Sequence, residues 1–155
     1  QLLPVIASAK ELMKPALKSA RVTLTTNLLG QDVDVQINTI QLEQVLVNLI
    51  TNAIEALREQ EDKQIELSVV QDRETKLVWI HVDDNGSGLG DFTLSELCEP
   101  FLTTKQNGLG LGLSISQQIL ASMNGKLSAQ NREQGGARFS LCLPIVTPLA
   151  AQPEG

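Results

Sequence analysis

Apolar and polar residues along this chain switch between two periods, and each switch marks an element. Residues 4 to 18 carry Val5, Ala9, Leu12, Met13 and Ala16 at helical spacing, which predicts a first helix disturbed near its end by Pro15. "RVTLTTNLL" and "DVDVQI" alternate with period two and predict strands. Asn38, Thr39 and Gln41 then read as a helix start, Asn38 as the cap and Gln41 as its capping-box partner, with a helix over residues 39 to 59. On that helix Leu42, Val45, Leu46, Leu49, Ile50, Ala53 and Leu57 form a broad apolar arc. Gln44, Asn48, Asn52, Glu55 and Glu59 line a narrow polar stripe.

"QIELSVV" and "KLVWIHV" alternate again and, with a polar turn between them, predict a hairpin. In the second, Val78, Ile80 and Val82 share the face expected to meet the core, and Leu77, Trp79 and His81 share the other. Regularity then fails from Gly86 to about Gly112, apart from one helical turn near "TLSELCE"; a stretch that long inside a compact domain is usually functional. "LSISQQILASMNG" predicts a helix stopped by Gly125. "KLSAQN" and "ARFSLCLP" predict two further strands, the second burying Ala137, Phe139, Leu141 and Leu143. No strand-helix-strand unit repeats, so the expected architecture is α/β: a mixed, mostly antiparallel sheet with helices on one face. Residues 1 to 144 are expected to form one domain, and residues 145 to 155, from the segment rich in proline, a loose tail.

Composition narrows the function classes. The chain has 155 residues, 42% of them hydrophobic, enough for one domain with a substantial core. A formal net charge of -6, with basic residues scattered, excludes a nucleic-acid footprint. Cys98 and Cys142 lack metal-type spacing and fit a reducing cytosol. No apolar run reaches the ~18 residues of a membrane span. The first residues lie inside an apolar pattern, which suggests a piece of a longer protein.

Three features carry chemistry. Asp84, in "DDNGSGLG", continues the core parity of its strand, so a carboxylate points into the interior and needs hydrogen-bond donors. Asn48 and Asn52 stack one turn apart in mid-helix, where asparagine is a mediocre former; either they face water or their carbonyl oxygens serve a hard cation such as Mg²⁺. "GLGLGLSIS" runs a glycine-rich loop into a helix N-terminus, an arrangement that suits phosphate. It is neither the dinucleotide fingerprint, which needs Gly where Leu113 stands, nor a Walker loop.

In order along the chain, "QVLVNLITNAIEAL", "DDNGSG", "EPFLTTK", "GLGLGLSIS" and "GGARFSL" resemble the N, G1, F, G2 and G3 boxes of sensor histidine kinases, the GHKL type of ATP-binding domain. The likeness runs from about Leu42 to Pro144, and the short "EPFLTTK" segment is most similar to nitrogen-regulator and C4-dicarboxylate sensors. It implies a Bergerat-type two-layer sandwich that binds ATP with Mg²⁺ under a flexible lid.

By resemblance Asp84 accepts from the adenine amino group, and Gly86 and Gly88 let the lid leave the strand. Asn52 holds Mg²⁺, and Asn48 is the polar catalytic position one turn earlier. Lys105 reaches the phosphates, Phe101 packs the lid, and Thr103 and Thr104 offer hydroxyls. Gly108, Leu109, Gly110, Leu111, Gly112 and Leu113 form the phosphate loop. One departure is Glu55, where many members carry a basic residue, with Arg58 a candidate substitute.

The function implied is transfer of the ATP γ-phosphate to a histidine on a separate helical-hairpin domain, for relay to a response regulator. The expected parent is a homodimer in the bacterial inner membrane with this domain, monomeric alone, in the cytoplasm. The alternatives are a serine-protein kinase of the anti-sigma type and an ATP-hydrolysing relative. The latter place a glutamate where Asn48 stands. His81, the only histidine, reads as structural.

Overall fold

A computed structural model describes residues 1–28, 32–89 and 109–146, with the side chains of 109–112 left aside. Two helices and a strand open the chain: α1 (Leu3–Ala20), β1 (Thr23–Leu28) and α2 (Thr39–Ala56). β2 (Gln64–Asp72), β3 (Leu77–Asp84), α3 (Leu109–Ser122), β4 (Lys126–Asn131) and β5 (Ala137–Pro144) follow. The strands form one sheet in the order β1-β2-β3-β5-β4. Only β1 and β2 run parallel, as two strands joined through a helix can; the other neighbours are antiparallel. The expected mixed sheet with a helical layer is what the structure shows.

Alternation decides which face the helices cover. Ile65, Leu67 and Val69 of β2, Val78, Ile80 and Val82 of β3, and Phe139, Leu141 and Leu143 of β5 pack into one core. The α2 arc of Leu42, Val45, Leu46, Leu49, Ile50, Ala53 and Leu57 is buried against them. The opposite face carries Trp79 stacked on His81, with ring centroids 6.1 Å apart, and His81 Nδ1 shares a 2.7 Å hydrogen bond with Ser140 Oγ. Burial holds the imidazole below its usual range, against a lesser upward pull from Asp83.

Four expectations change. The α1 stripe is Val5, Ile6, Ala9, Met13 and Leu17, whereas Leu12 is 58% exposed; Pro15 lies on the exposed side, and the helix continues past it. "DVDVQI" makes a single bridge, Val35 to Ile145, and no strand. Its first residue works as a cap instead: Asp32 Oδ1 accepts from the N–H groups of Leu2 (3.0 Å) and Leu3 (2.9 Å) at the start of α1. α2 does start at an Asn38 cap bonded to the Gln41 N–H, but ends at Ala56. α3 begins at Leu109, so Gly110 and Gly112 lie in its opening turns. The turn expected near "TLSELCE" falls outside the described residues. Ile145 and Val146 donate backbone hydrogen bonds to Lys76 and Asp34. Among the described residues no helix is long and apolar enough to cross a membrane.

Candidate functional site

The site is assembled where three pieces of chain meet: the end of β3, the polar side of α2 and the turn joining β4 to β5. β3 delivers two consecutive carboxylates to opposite faces, as strand geometry requires. Asp84 continues the buried parity and is 1% exposed. Its Oδ1 accepts from the N–H groups of Gly86 (2.9 Å) and Ala137 (3.3 Å). No donor among the described residues reaches Oδ2. Burial therefore dominates and raises the carboxyl above its ordinary range, while the two N–H groups and the nearby Arg132 charge pull the other way.

Close backbone contacts fix this geometry. Gly86 sits against the last turn of α2, where a Cβ would lie 2.5 Å from the Ala56 carbonyl oxygen. Gly88 turns the chain with φ +85°, and the next N–H, of Leu89, donates to Asn131 Oδ1 at 2.6 Å. In the β4–β5 turn Gly136, at φ +90°, approaches the Asp84 carbonyl so nearly that a Cβ would be 1.9 Å from its oxygen. Arg132 Nη1 donates to that same oxygen at 2.7 Å.

On α2 the two asparagines are half-buried and do not simply face water. Asn48 Nδ2 donates to the fully buried Ser116 Oγ of α3 at 3.3 Å, which orients the amide and ties the two helices together. Asn52 Nδ2 is buried without a partner. A buried donor without a partner is costly and signals an acceptor, from a ligand or a water, that completes the site. Two carboxamides one turn apart supply neutral oxygen ligands. These are too few for a self-sufficient cation cage and right for an Mg²⁺ whose other ligands are phosphate and water. Among the described residues no group of three or more His, Cys, Asp or Glu could hold a metal. Glu55 pairs with Arg58 at 2.8 Å, so the basic candidate is engaged on the surface.

The structure thus brings together Asp84, Gly86, Gly88 and the α2 end, while Asn48 and Asn52 lie on the α2 face that meets α3. Leu113 is buried in α3, and Leu109, Gly110, Leu111 and Gly112 form its first residues. Phe101, Thr103, Thr104, Lys105 and Gly108 lie outside the described residues. The structure adds Arg132, Asn131 and Ser116 to the site. Ser116 stands in the "GLGLGLSIS" stretch, and the Gly135-Gly136 pair announces a tight turn beside the two others. Nothing in the local pattern marks Arg132.

Comparison with known proteins bears on the whole arrangement. The model of the family described as "Histidine kinase-, DNA gyrase B-, and HSP90-like ATPase" matches residues 37–147. The C4-dicarboxylate transport sensor protein DctS of Rhodobacter capsulatus is 38% identical over 91% of this chain, which spans only 22% of that protein. The catalytic domain of the histidine kinase ThkA has a TM-score of 0.80 at 28% identity, covering 92% of this chain and 91% of that one. ThkA in complex with the response regulator protein TrrA is also similar, with a TM-score of 0.78 at 26% identity, over 94% of this chain and 41% of that one.

Proposed function

The chain belongs to the histidine kinase-, DNA gyrase B-, and HSP90-like ATPase family, and from that premise we propose that residues 1–144 are the ATP-binding catalytic domain of a two-component sensor histidine kinase. The carrying observation is Asp84: a carboxylate at the end of a core-facing strand, 1% exposed, held only by backbone N–H groups on one oxygen. A buried acceptor with one oxygen unclaimed is a recognition element for a neutral donor, and the adenine amino group is that donor. Lys105, Thr103, Thr104 and the backbone from Gly108 to Leu113 bind the phosphates, and Phe101 packs the lid over them.

In this reading Asn52 would hold Mg²⁺, with Asn48 the polar position one turn earlier, and the ion would supply charge neutralisation at the phosphates. The chain's own residues do the rest. Asp84 fixes the base, the α3 N-terminus offers N–H groups to phosphate, and Lys105 offsets charge on the transferring group. The acceptor is a histidine on a helical-hairpin domain outside this chain, with relay to a response regulator. ThkA, a fold relative, is known in complex with one. The parent is a homodimer of the inner membrane, this domain being cytoplasmic and monomeric alone.

Asn48 argues against the ATP-hydrolysing relatives, since an amide donating to Ser116 Oγ cannot act as a base for water. His81 is half-buried on the face opposite the helices and bonded to Ser140, away from any in-line attack. Incubated with γ-labelled ATP and Mg²⁺, the chain should therefore stay unlabelled. Adding the acceptor hairpin of its parent protein should produce an acid-labile, alkali-stable phosphohistidine on the hairpin. Label on a serine of the hairpin, or rapid phosphate release without it, would overturn the reading.

A further inference from the structure

We propose that Arg132 is a positioning residue for base recognition, holding the main chain of Asp84 from behind so that the carboxylate stays free for the adenine amino group. The inference rests on the preceding assignment of Asp84 and deepens it. On its β5 side the β3 ladder stops at the pair Asp83 and Arg138, one residue short of Asp84. The donor that a longer ladder would provide comes from Arg132 Nη1, 2.7 Å from the Asp84 carbonyl oxygen. The Arg132 N–H donates in turn to the Gly136 carbonyl at 2.9 Å, closing the turn that presses Gly136 against Asp84. The Ala137 N–H grips Oδ1. One six-residue segment thus holds Asp84 by its carbonyl and by one carboxylate oxygen.

The choice of atom matters. An arginine that forked onto the carboxylate would consume both oxygens, as Arg138 does with Asp83. Arg132 makes no ion pair among the described residues. Its charge lies close enough to favour the ionised carboxylate without occupying it. Among the described residues the other charge that acts on Asp84 is Asp83, already paired with Arg138. An aspartate does not replace Arg132.

The test compares ATP with N6,N6-dimethyl-ATP, which lacks the amino donor, by calorimetry on the 155-residue chain. The parent should prefer ATP. Arg132→Met should narrow that preference about five- to twenty-fold while the thermal midpoint shows a folded protein, and Arg132→Lys, which can donate the same single bond, should restore most of it. A folded Arg132→Met chain with the parental preference overturns the inference alone. A parent that binds both nucleotides equally overturns the Asp84 assignment and the inference with it. Should Arg132→Met not fold, Arg132→Gln keeps a donor but loses the charge. The pH below which ATP affinity falls should then move upward, and a pH profile that coincides with the parent's refutes the proposal.

Discussion

Asp83 and Asp84 are consecutive, both nearly inaccessible at 4% and 1% exposure, and differ in every other respect. Asp83 points to the open face of the sheet, where Arg138 meets it with two bonds of 2.7 and 2.9 Å. Asp84 points under the helices, where backbone N–H groups hold one oxygen and the nearest guanidinium takes the carbonyl instead. A bidentate ion pair engages both oxygens and compensates the charge, which leaves little to draw a ligand. A carboxylate satisfied on one side is a poor structural element and a good recognition element. The chemical type is the same, and the strand's alternation together with the neighbouring turn decides the role.

The comparison breaks hardest at Gly136, whose approach makes the Asp84 side possible. Gly136→Ala adds a Cβ into the Asp84 carbonyl and strains a positive φ, so a loss of about 3 kcal/mol or more is expected in urea unfolding. Its neighbour is the control: Gly135 has φ +103° with nothing within 4 Å of a Cβ, so Gly135→Ala should cost only about 1 kcal/mol. Equal losses would mean that backbone strain alone, and not contact with Asp84, makes Gly136 necessary.

The two aspartates themselves should separate by function. Asp84→Asn replaces an acceptor oxygen by a donor and should weaken ATP binding by about 1.5–3 kcal/mol, roughly ten- to 150-fold. Asp83→Asn should leave ATP affinity within about two-fold and cost stability of roughly 1–2 kcal/mol, a reduced figure because the Arg138 side chain is 36% exposed and regains water. Similar affinity losses in both variants would show that the strand end matters only as a unit.

The α2 arc and the β3 and β5 alternations were legible in the sequence because their signal is local and periodic, and packing agrees with it. The core parity of Asp84 follows from the same logic. "DVDVQI" alternates too, but a strand also needs a neighbour along its length, and here only Val35 finds one. The early start of α3 runs against the poor helix propensity of Gly110 and Gly112; the Asn48 to Ser116 bond shows the tertiary support that local propensity does not contain. Arg132 was illegible for a related reason. A basic residue in a polar hairpin turn reads as solvated, and its partner is a main-chain carbonyl 48 positions away.

The smallest expected effect concerns stability, and its sign separates recognition from structure. Burial raises the Asp84 carboxyl in the folded chain above its unfolded value of about 3.9, so the folded state binds this proton more tightly than the unfolded one. Whatever stability that proton confers is fully present below the unfolded value and is lost as pH rises through the folded one. At neutral pH the chain therefore carries the cost of an ionised, buried carboxylate. Asp84→Asn removes the charge and keeps an oxygen for the Gly86 and Ala137 N–H groups, so the variant should be more stable than the parent at pH 7–8. A rise of about 2–4 °C, near 1 kcal/mol for a chain of this size, is the scale expected. The advantage should shrink as pH falls toward 4, because the parent then becomes neutral at the same position. His81, whose imidazole is depressed by burial, opposes folding on acidification in both proteins and cancels in the difference. Differential scanning of the pair between pH 4 and 8 reads this directly. A variant less stable than the parent at pH 7.5 would show that the Asp84 charge supports the fold, and Asp84 would then resemble Asp83 after all.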